Sequence, residues 1–116
     1  MKRELVLTAL VALSAPGAAL AQGKQMFGVS TPMRDGVRLV SDIWIPADTG
    51  RWPAILIRTP YVKTPQFKRY KLAAYLQAGY AVILQDTRGR GDSEGEFDFY
   101  FPEGKDGFDT IEWIAK

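Results

Sequence analysis

The stretch Gly79-Tyr80-Ala81-Val82-Ile83-Leu84-Gln85-Asp86-Thr87-Arg88-Gly89-Arg90-Gly91-Asp92-Ser93-Glu94-Gly95 decides how the rest of the chain is read. Tyr80 to Leu84 is a continuous apolar run, too short for a helix, and predicts a strand buried on both faces. Gly79 before it ends a preceding helix, and Asp86 stands at its carboxyl end. From Thr87 to Gly104 the composition turns to glycine and acid, which predicts a loop. In open α/β sheets ligands bind beyond the carboxyl ends of the parallel strands, so this strand end is a candidate site.

Toward the amino terminus a second such run, Ala54-Ile55-Leu56-Ile57, is opened by Pro53 and closed by Thr59-Pro60. It predicts another strand buried on both faces, ending in Arg58-Thr59-Pro60-Tyr61. Between the two strands a helix is expected within Thr64 to Ala78. Thr64 would be its N-cap and Pro65 its first residue, with Leu72, Ala73 and Leu76 on one face. Further back, Met26 to Thr31 and Val37 to Ile45 flank Arg34-Asp35-Gly36. Asp-Gly between apolar segments predicts a hairpin, since both residues tolerate positive φ. The alternation of Val37, Leu39, Ser41, Ile43 and Ile45 with Arg38, Val40, Asp42 and Trp44 predicts a half-buried strand. Toward the carboxyl terminus a last helix starts near Lys105. It has acids Asp106 and Asp109 in its first turn and Phe108, Ile111 and Ile114 or Ala115 on its apolar side. Hairpin, strand, helix, strand, helix is the opening of an α/β fold with a mostly parallel sheet.

With 116 residues the chain holds one domain at most. It has no cysteine and no histidine. Disulfides, thiolate zinc sites and a cysteine nucleophile are thereby excluded, as is a Ser-His-Asp relay drawn wholly from these residues. A net charge of +2 is no nucleic-acid-binding signature. Its distribution is uneven. Thr49 to Gln85 holds six bases (Arg51, Arg58, Lys63, Lys68, Arg69, Lys71) and no acid, whereas Asp86 to Glu112 holds nine acids against three bases. Two solvated faces that partly neutralise each other on folding account for this. The amino terminus has the order of an export signal. Lys2-Arg3 is followed by the apolar run Leu5 to Leu13, the break Pro16-Gly17 and Ala19-Leu20-Ala21. Residues 1–21 are expected to be removed, leaving 22–116 in the periplasm or secreted, with no membrane attachment after cleavage.

At this point the chain resembles a known family. Arg34-Asp35-Gly36-Val37-Arg38-Leu39, then Arg58-Thr59-Pro60-Tyr61, then Gly79 through Phe97, then Asp106-Gly107-x-Asp109-Thr110-Ile111-x-Trp113-Ile114 are similar to the start of the catalytic domain of the CocE/NonD hydrolases. These are α/β-hydrolase enzymes related to the Xaa-Pro dipeptidyl-peptidases (peptidase S15). The resemblance implies that residues 22–116 are the amino-terminal part of such a domain, a truncated α/β-hydrolase core. It implies a serine hydrolase of acyl esters, amides or X-Pro peptides, with a small-molecule or peptide acyl substrate and no cofactor or metal. It assigns Tyr61 the role of oxyanion donor, because the tyrosine of the family's Pro-Tyr pair offers its hydroxyl to the tetrahedral intermediate.

The same resemblance puts the nucleophile in a later G-x-S-Y-x-G, beyond Lys116, and the acid and histidine further on. The chain alone is then expected to be inactive. Ser93 sits in Gly91-x-Ser93-x-Gly95, but a nucleophile elbow needs a strand before and a helix after, and neither is predicted there. Asp86 and Arg88 are expected to fix the loop by a charge-assisted hydrogen bond. Arg90-Gly91-Asp92 spells an adhesion tripeptide inside a run the fold already explains. The alternative to a hydrolase segment is a complete non-catalytic module that binds a partner through an exposed sheet edge. When the protein is expressed with its leader in a bacterium, mass spectrometry should find Gln22 as the first residue of the exported form. Export with residues 1–21 retained would overturn the signal reading.

Overall fold

Six successive buried residues make β4 (Ala81–Asp86) the middle of the molecule. The computed structural model describes residues 23–116, so the expected export signal, residues 1–21, lies outside the described residues. Around β4 the chain forms β1 (Lys24–Pro32), β2 (Arg38–Ile45), β3 (Ala54–Thr59), the short helices α1 (Gln66–Arg69) and α2 (Ala73–Gln77), and finally α3 (Glu103–Ile114). The sheet order is β1-β2-β4-β3. β1 pairs antiparallel with β2 and β2 antiparallel with β4, while β3 and β4 run parallel with Thr59 opposite Asp86. Consecutive β2 and β3 are thus separated by β4, the crossover that an α/β sheet requires.

Alternation along β4 divides the core between two faces. Val82 and Leu84 pack with Trp44 and Leu72 on the face covered by α1 and α2, where Ile57, Phe67 and Leu76 extend the cluster. Ala81 and Ile83 pack with Ile43 on the other face, against Leu56, Trp52, Trp113 and Ile114 at the end of α3. Helices on both faces satisfy a parallel centre. β4 is buried as expected, but β3 is only half-buried, because it is an edge of the described sheet. β2 departs in the other direction. Leu39 and Ser41 through Trp44 are all buried, since β1 and β4 flank both edges of β2 and its two faces meet Leu72 and Phe67 on one side and Trp113 and Ile114 on the other.

Three local expectations need correction. In the hairpin, Gly36 N–H donates to the Met33 carbonyl (2.9 Å) and Met33 N–H to the Val37 carbonyl (2.8 Å). Gly36 has φ +86° and Asp35 is not left-handed, so the turn is type I closed by a left-handed glycine, rather than one with two positive-φ residues. The expected single helix is two. Lys71 takes φ +54° and breaks it between α1 and α2, and Pro65, without a side-chain cap bond, stands where Thr64 was expected. Ala73 is accordingly exposed, while Leu72 is buried.

The third concerns α3. Phe108 and Ile111, expected inside, are 57% exposed, and the residues facing the sheet are Asp106 and Thr110. Asp106 holds the Arg88 guanidinium at 2.8 and 2.9 Å, and the Thr110 hydroxyl donates to the Asp106 carbonyl at 2.8 Å, with Gln85 Oε1 at 3.2 Å. Two satisfied polar groups therefore orient the helix, and its apolar contact comes only at Trp113 and Ile114.

Arg88 also holds Asp35 in the hairpin turn (2.8 Å), so one guanidinium ties hairpin, β4 loop and α3 together. Arg88→Met would leave the Asp106 carboxylate buried and unpaired, and should cost about 3 kcal/mol in urea denaturation. Arg34→Met, which removes a more exposed pair with Asp109, should cost clearly less. Equal losses would show that α3 is not docked through Arg88.

Candidate active site at the carboxyl ends of β3 and β4

β3 and β4 end side by side at Thr59 and Asp86, and each hands its chain to a loop. Asp86 is fully buried and its carboxylate gathers three donors. Oδ1 accepts the Lys63 backbone N–H at 2.8 Å, and Oδ2 accepts Lys63 Nζ at 3.1 Å and the Asp92 N–H at 2.9 Å. Lys63 Nζ continues to Asp92 Oδ2 at 2.7 Å. The expected Asp86–Arg88 bond is not made. Asp86 turns instead to Lys63 in the neighbouring loop, and Arg88 points away toward Asp106 and Asp35. Burial by itself would lower the Lys63 ammonium, but the hydrogen bonds to Asp92 and Asp86 outweigh it and hold it above its ordinary 10.5. The same bond holds Asp92 below the ordinary 3.8.

Gly91 packs directly on this cluster. It has φ +52°, and a Cβ there would collide with the Asp86 carboxylate. Ser93 is a fastener. Its hydroxyl donates to the Asp86 carbonyl at 2.6 Å and accepts the Val40 N–H at 2.8 Å, and no strand precedes it and no helix follows directly. Arg90 lies 3.8 Å over the Phe97 ring, and Asp92 is bound to Lys63, so both charged side chains of the adhesion-like tripeptide are engaged within the molecule.

Tyr61 stands two residues beyond Thr59. Its N–H donates to the Thr59 hydroxyl at 3.0 Å, and its side chain is 75% exposed. It lines a cavity of about 500 Å³ together with Arg58, Thr87, Phe97, Phe99 and Tyr100. Arg58 is held from behind by Gln85 (2.7 Å) and Glu103 (2.7 Å), which pairs the basic middle of the chain with its acidic end. Arg58 Nη2 and Thr87 Oγ1 are buried and have no hydrogen-bond partner among the described residues. The wall therefore combines aromatic surface with a phenol and the Arg58 side chain, a lining that suits an organic ligand with a polar group. A larger cavity, about 790 Å³, is bordered by Arg34, Asp35, Arg88 and Asp106, whose charges are already engaged, Arg88 with Asp35 and Asp106 and Arg34 with Asp109. It is the less suitable place for chemistry. Among the described residues there is no cluster of three or more ligating side chains that could hold a metal ion, and no helix long and apolar enough to cross a membrane.

Sequence reasoning placed Tyr61 at a strand end but counted Lys63 only as one of six bases. A signal was present: a lysine in the loop after one parallel strand, set against an aspartate ending the next. The Asp92–Lys63 bond also gives a sign for acid stability. A carboxylate whose folded value lies below 3.8 contributes stability that is complete above that value and is lost as pH falls through the folded one. Asp35 and Asp109, depressed by Arg88 and Arg34, act in the same direction. Thermal unfolding should therefore change little from pH 7 to about 5 and fall steeply below about 4. Asp92→Asn should flatten part of that fall, and an unchanged acid limb would remove Asp92 from it.

Residues 35–116 match the family model described as X-Pro dipeptidyl-peptidase (S15 family). Over 92 residues the chain is 42% identical to cocaine esterase of Rhodococcus sp. (strain MB1 Bresler), a match that takes in 76% of this chain and 16% of that protein. An α-amino acid ester hydrolase superposes with a TM-score of 0.69 at 28% identity, over 80% of this chain and 19% of its own. A CocE/NonD family hydrolase from Staphylococcus aureus superposes with a TM-score of 0.68 over 79% of this chain and 20% of its own. At 20% identity that last likeness speaks for the fold alone. The chain thus spans less than a fifth of the length of cocaine esterase and of the ester hydrolase. Its motifs and α/β sheet agree with the family match, and the chain belongs to the X-Pro dipeptidyl-peptidase (S15) family of CocE/NonD α/β-hydrolases.

Proposed function

We propose that residues 22–116 form the amino-terminal part of an exported serine hydrolase that cleaves acyl esters, amides or X-Pro peptides through an acyl-enzyme, with Tyr61 as one of its two oxyanion donors. The observation that carries this reading is the position of Tyr61. Its phenol is exposed at the carboxyl end of β3, beside a cavity walled by aromatic rings, in a chain of hydrolase family. When a serine hydroxyl attacks an acyl carbonyl, the carbonyl oxygen takes up negative charge. A fixed O–H donor pointed at that oxygen stabilises the transition state more than the neutral ground state.

The serine, the acid and the histidine belong, in this reading, to a longer polypeptide, since these 116 residues contain no histidine to take the serine proton. The segment alone would then hydrolyse nothing. The reading of a non-catalytic module that binds through a sheet edge has one observation in its favour, the edge position of β3 in the described sheet. It gives no account of the exposed phenol at the strand end.

The test is Tyr61→Phe in the polypeptide that joins this segment to its nucleophile, assayed with p-nitrophenyl butyrate and with an X-Pro p-nitroanilide. Loss of one oxyanion donor should lower kcat by about 100- to 1,000-fold with little change in KM. Wild-type kcat on both substrates would remove Tyr61 from the mechanism. Which of the two substrates is turned over separates esterase from peptidase.

A further inference from the structure

We infer that Lys63 is a positioning residue for Tyr61, acting through the strained residue between them. This rests on the proposal that Tyr61 is the oxyanion donor. Val62 has φ +74°, a left-handed conformation that is costly for a β-branched side chain and persists only where neighbours impose it. The neighbours that impose it are visible. On one side the Tyr61 N–H is held by the Thr59 hydroxyl at 3.0 Å. On the other the Lys63 N–H is held by Asp86 Oδ1 at 2.8 Å, while Lys63 Nζ bridges Asp86 Oδ2 and Asp92 Oδ2. The Gln66 side-chain amide adds a bond to the Val62 carbonyl at 3.2 Å.

Tyr61 and Lys63 must therefore point in opposite directions within three residues. The lysine is buried, at 2% exposure, against the end of β4, and the tyrosine is turned out into the cavity. An extended or helical backbone at Val62 could not keep the Lys63 N–H on Asp86 and present Tyr61 outward at once. Asp86 cannot shift to accommodate the loop. It is fully buried, also accepts the Asp92 N–H, and is backed by Gly91, where no Cβ would fit. The buried ammonium thus holds a strained turn whose product is the direction of the phenol. A pair that only fastened two loops together would not require strain at the residue beside Tyr61.

The experiment uses the same nucleophile-bearing polypeptide and p-nitrophenyl butyrate, with Tyr61→Phe, Lys63→Met and their double variant. Lys63→Met should lower kcat about tenfold or more with KM within about twofold, and the double variant should be no slower than Tyr61→Phe alone. Adding Val62→Gly to Lys63→Met should restore part of kcat, because glycine adopts positive φ unaided. Lys63→Met/Asp86→Asn removes both buried charges together, and its melting temperature reports whether the loops still fold, since the amide keeps one acceptor oxygen for the Lys63 N–H but loses the acceptor of the Asp92 N–H. If that variant melts like the wild type and keeps wild-type kcat, Lys63 has no positioning role. Losses that multiply in the Tyr61→Phe/Lys63→Met double variant would equally overturn it, since Lys63 would then act independently of the phenol. Should Tyr61→Phe itself run at the wild-type rate, the donor reading fails first and this inference with it. A slow Tyr61→Phe beside a fast Lys63→Met overturns the inference alone.

Discussion

The loops at the candidate site depend on one buried carboxylate. Asp86 ends the central strand with no exposure to water and is satisfied by three N–H donors drawn from two different loops. A charge in that position is tolerable only while its partners stay in place. Lys63, Gly91 and Asp92 are therefore constrained together, and the cavity lies between the loops they belong to. Ser93 closes the arrangement from the backbone side by holding the Asp86 carbonyl to β2 through Val40. The strand-end site is thus rigid at its floor, while the phenol of Tyr61 remains exposed at its rim.

The separated charges of the chain find their use in the same way. The basic stretch and the acidic stretch are neighbours in space: Lys63 meets Asp86 and Asp92, and Arg58 meets Glu103. A second set joins Arg88 to Asp106 and Asp35, and Arg34 to Asp109. These contacts orient α3, which enters the sheet on Asp106 and Thr110 and leaves Phe108 and Ile111 outside. A polar face is a workable docking face here because each group it buries has a partner. Burial of apolar area by itself would have turned the helix the other way.

That helix shows where reading from sequence loses resolution. Its existence was legible, since acids and spaced apolar residues mark a helix whatever it touches, although it starts at Glu103, two residues before the expected Lys105, so that Asp109 lies beyond its first turn. Which face goes inward was not, because the partner of Asp106 is Arg88, in a loop 18 residues earlier. β2 failed in the same manner. Its alternation of Leu39, Ser41 and Ile43 with Val40, Asp42 and Trp44 was read as one wet face. Helical segments on opposite sides of the sheet cover both. The helix break at Lys71 and the left-handed Val62 carry no local signal at all, as neither residue type favours positive φ. Pattern places Tyr61 at a strand end and resemblance gives it a role, whereas the lysine two residues on reads in sequence only as one base among six.

Short-range physics accounts for what the sequence determined by itself. Apolar runs bounded by proline and glycine specify β3 and β4, Asp35-Gly36 specifies a hairpin, and the motif from Gly79 to Phe97 specifies the family. Only the tertiary structure decided that β4 enters between β2 and β3, that Asp86 bonds Lys63 instead of Arg88, and that Val62 is forced left-handed beside Tyr61. The physical reason is that contacts distant along the chain decide all three: apolar packing on both faces of β4 for the strand order, and for the other two the partner of a buried charge, which is chosen by distance in space and not by residue spacing.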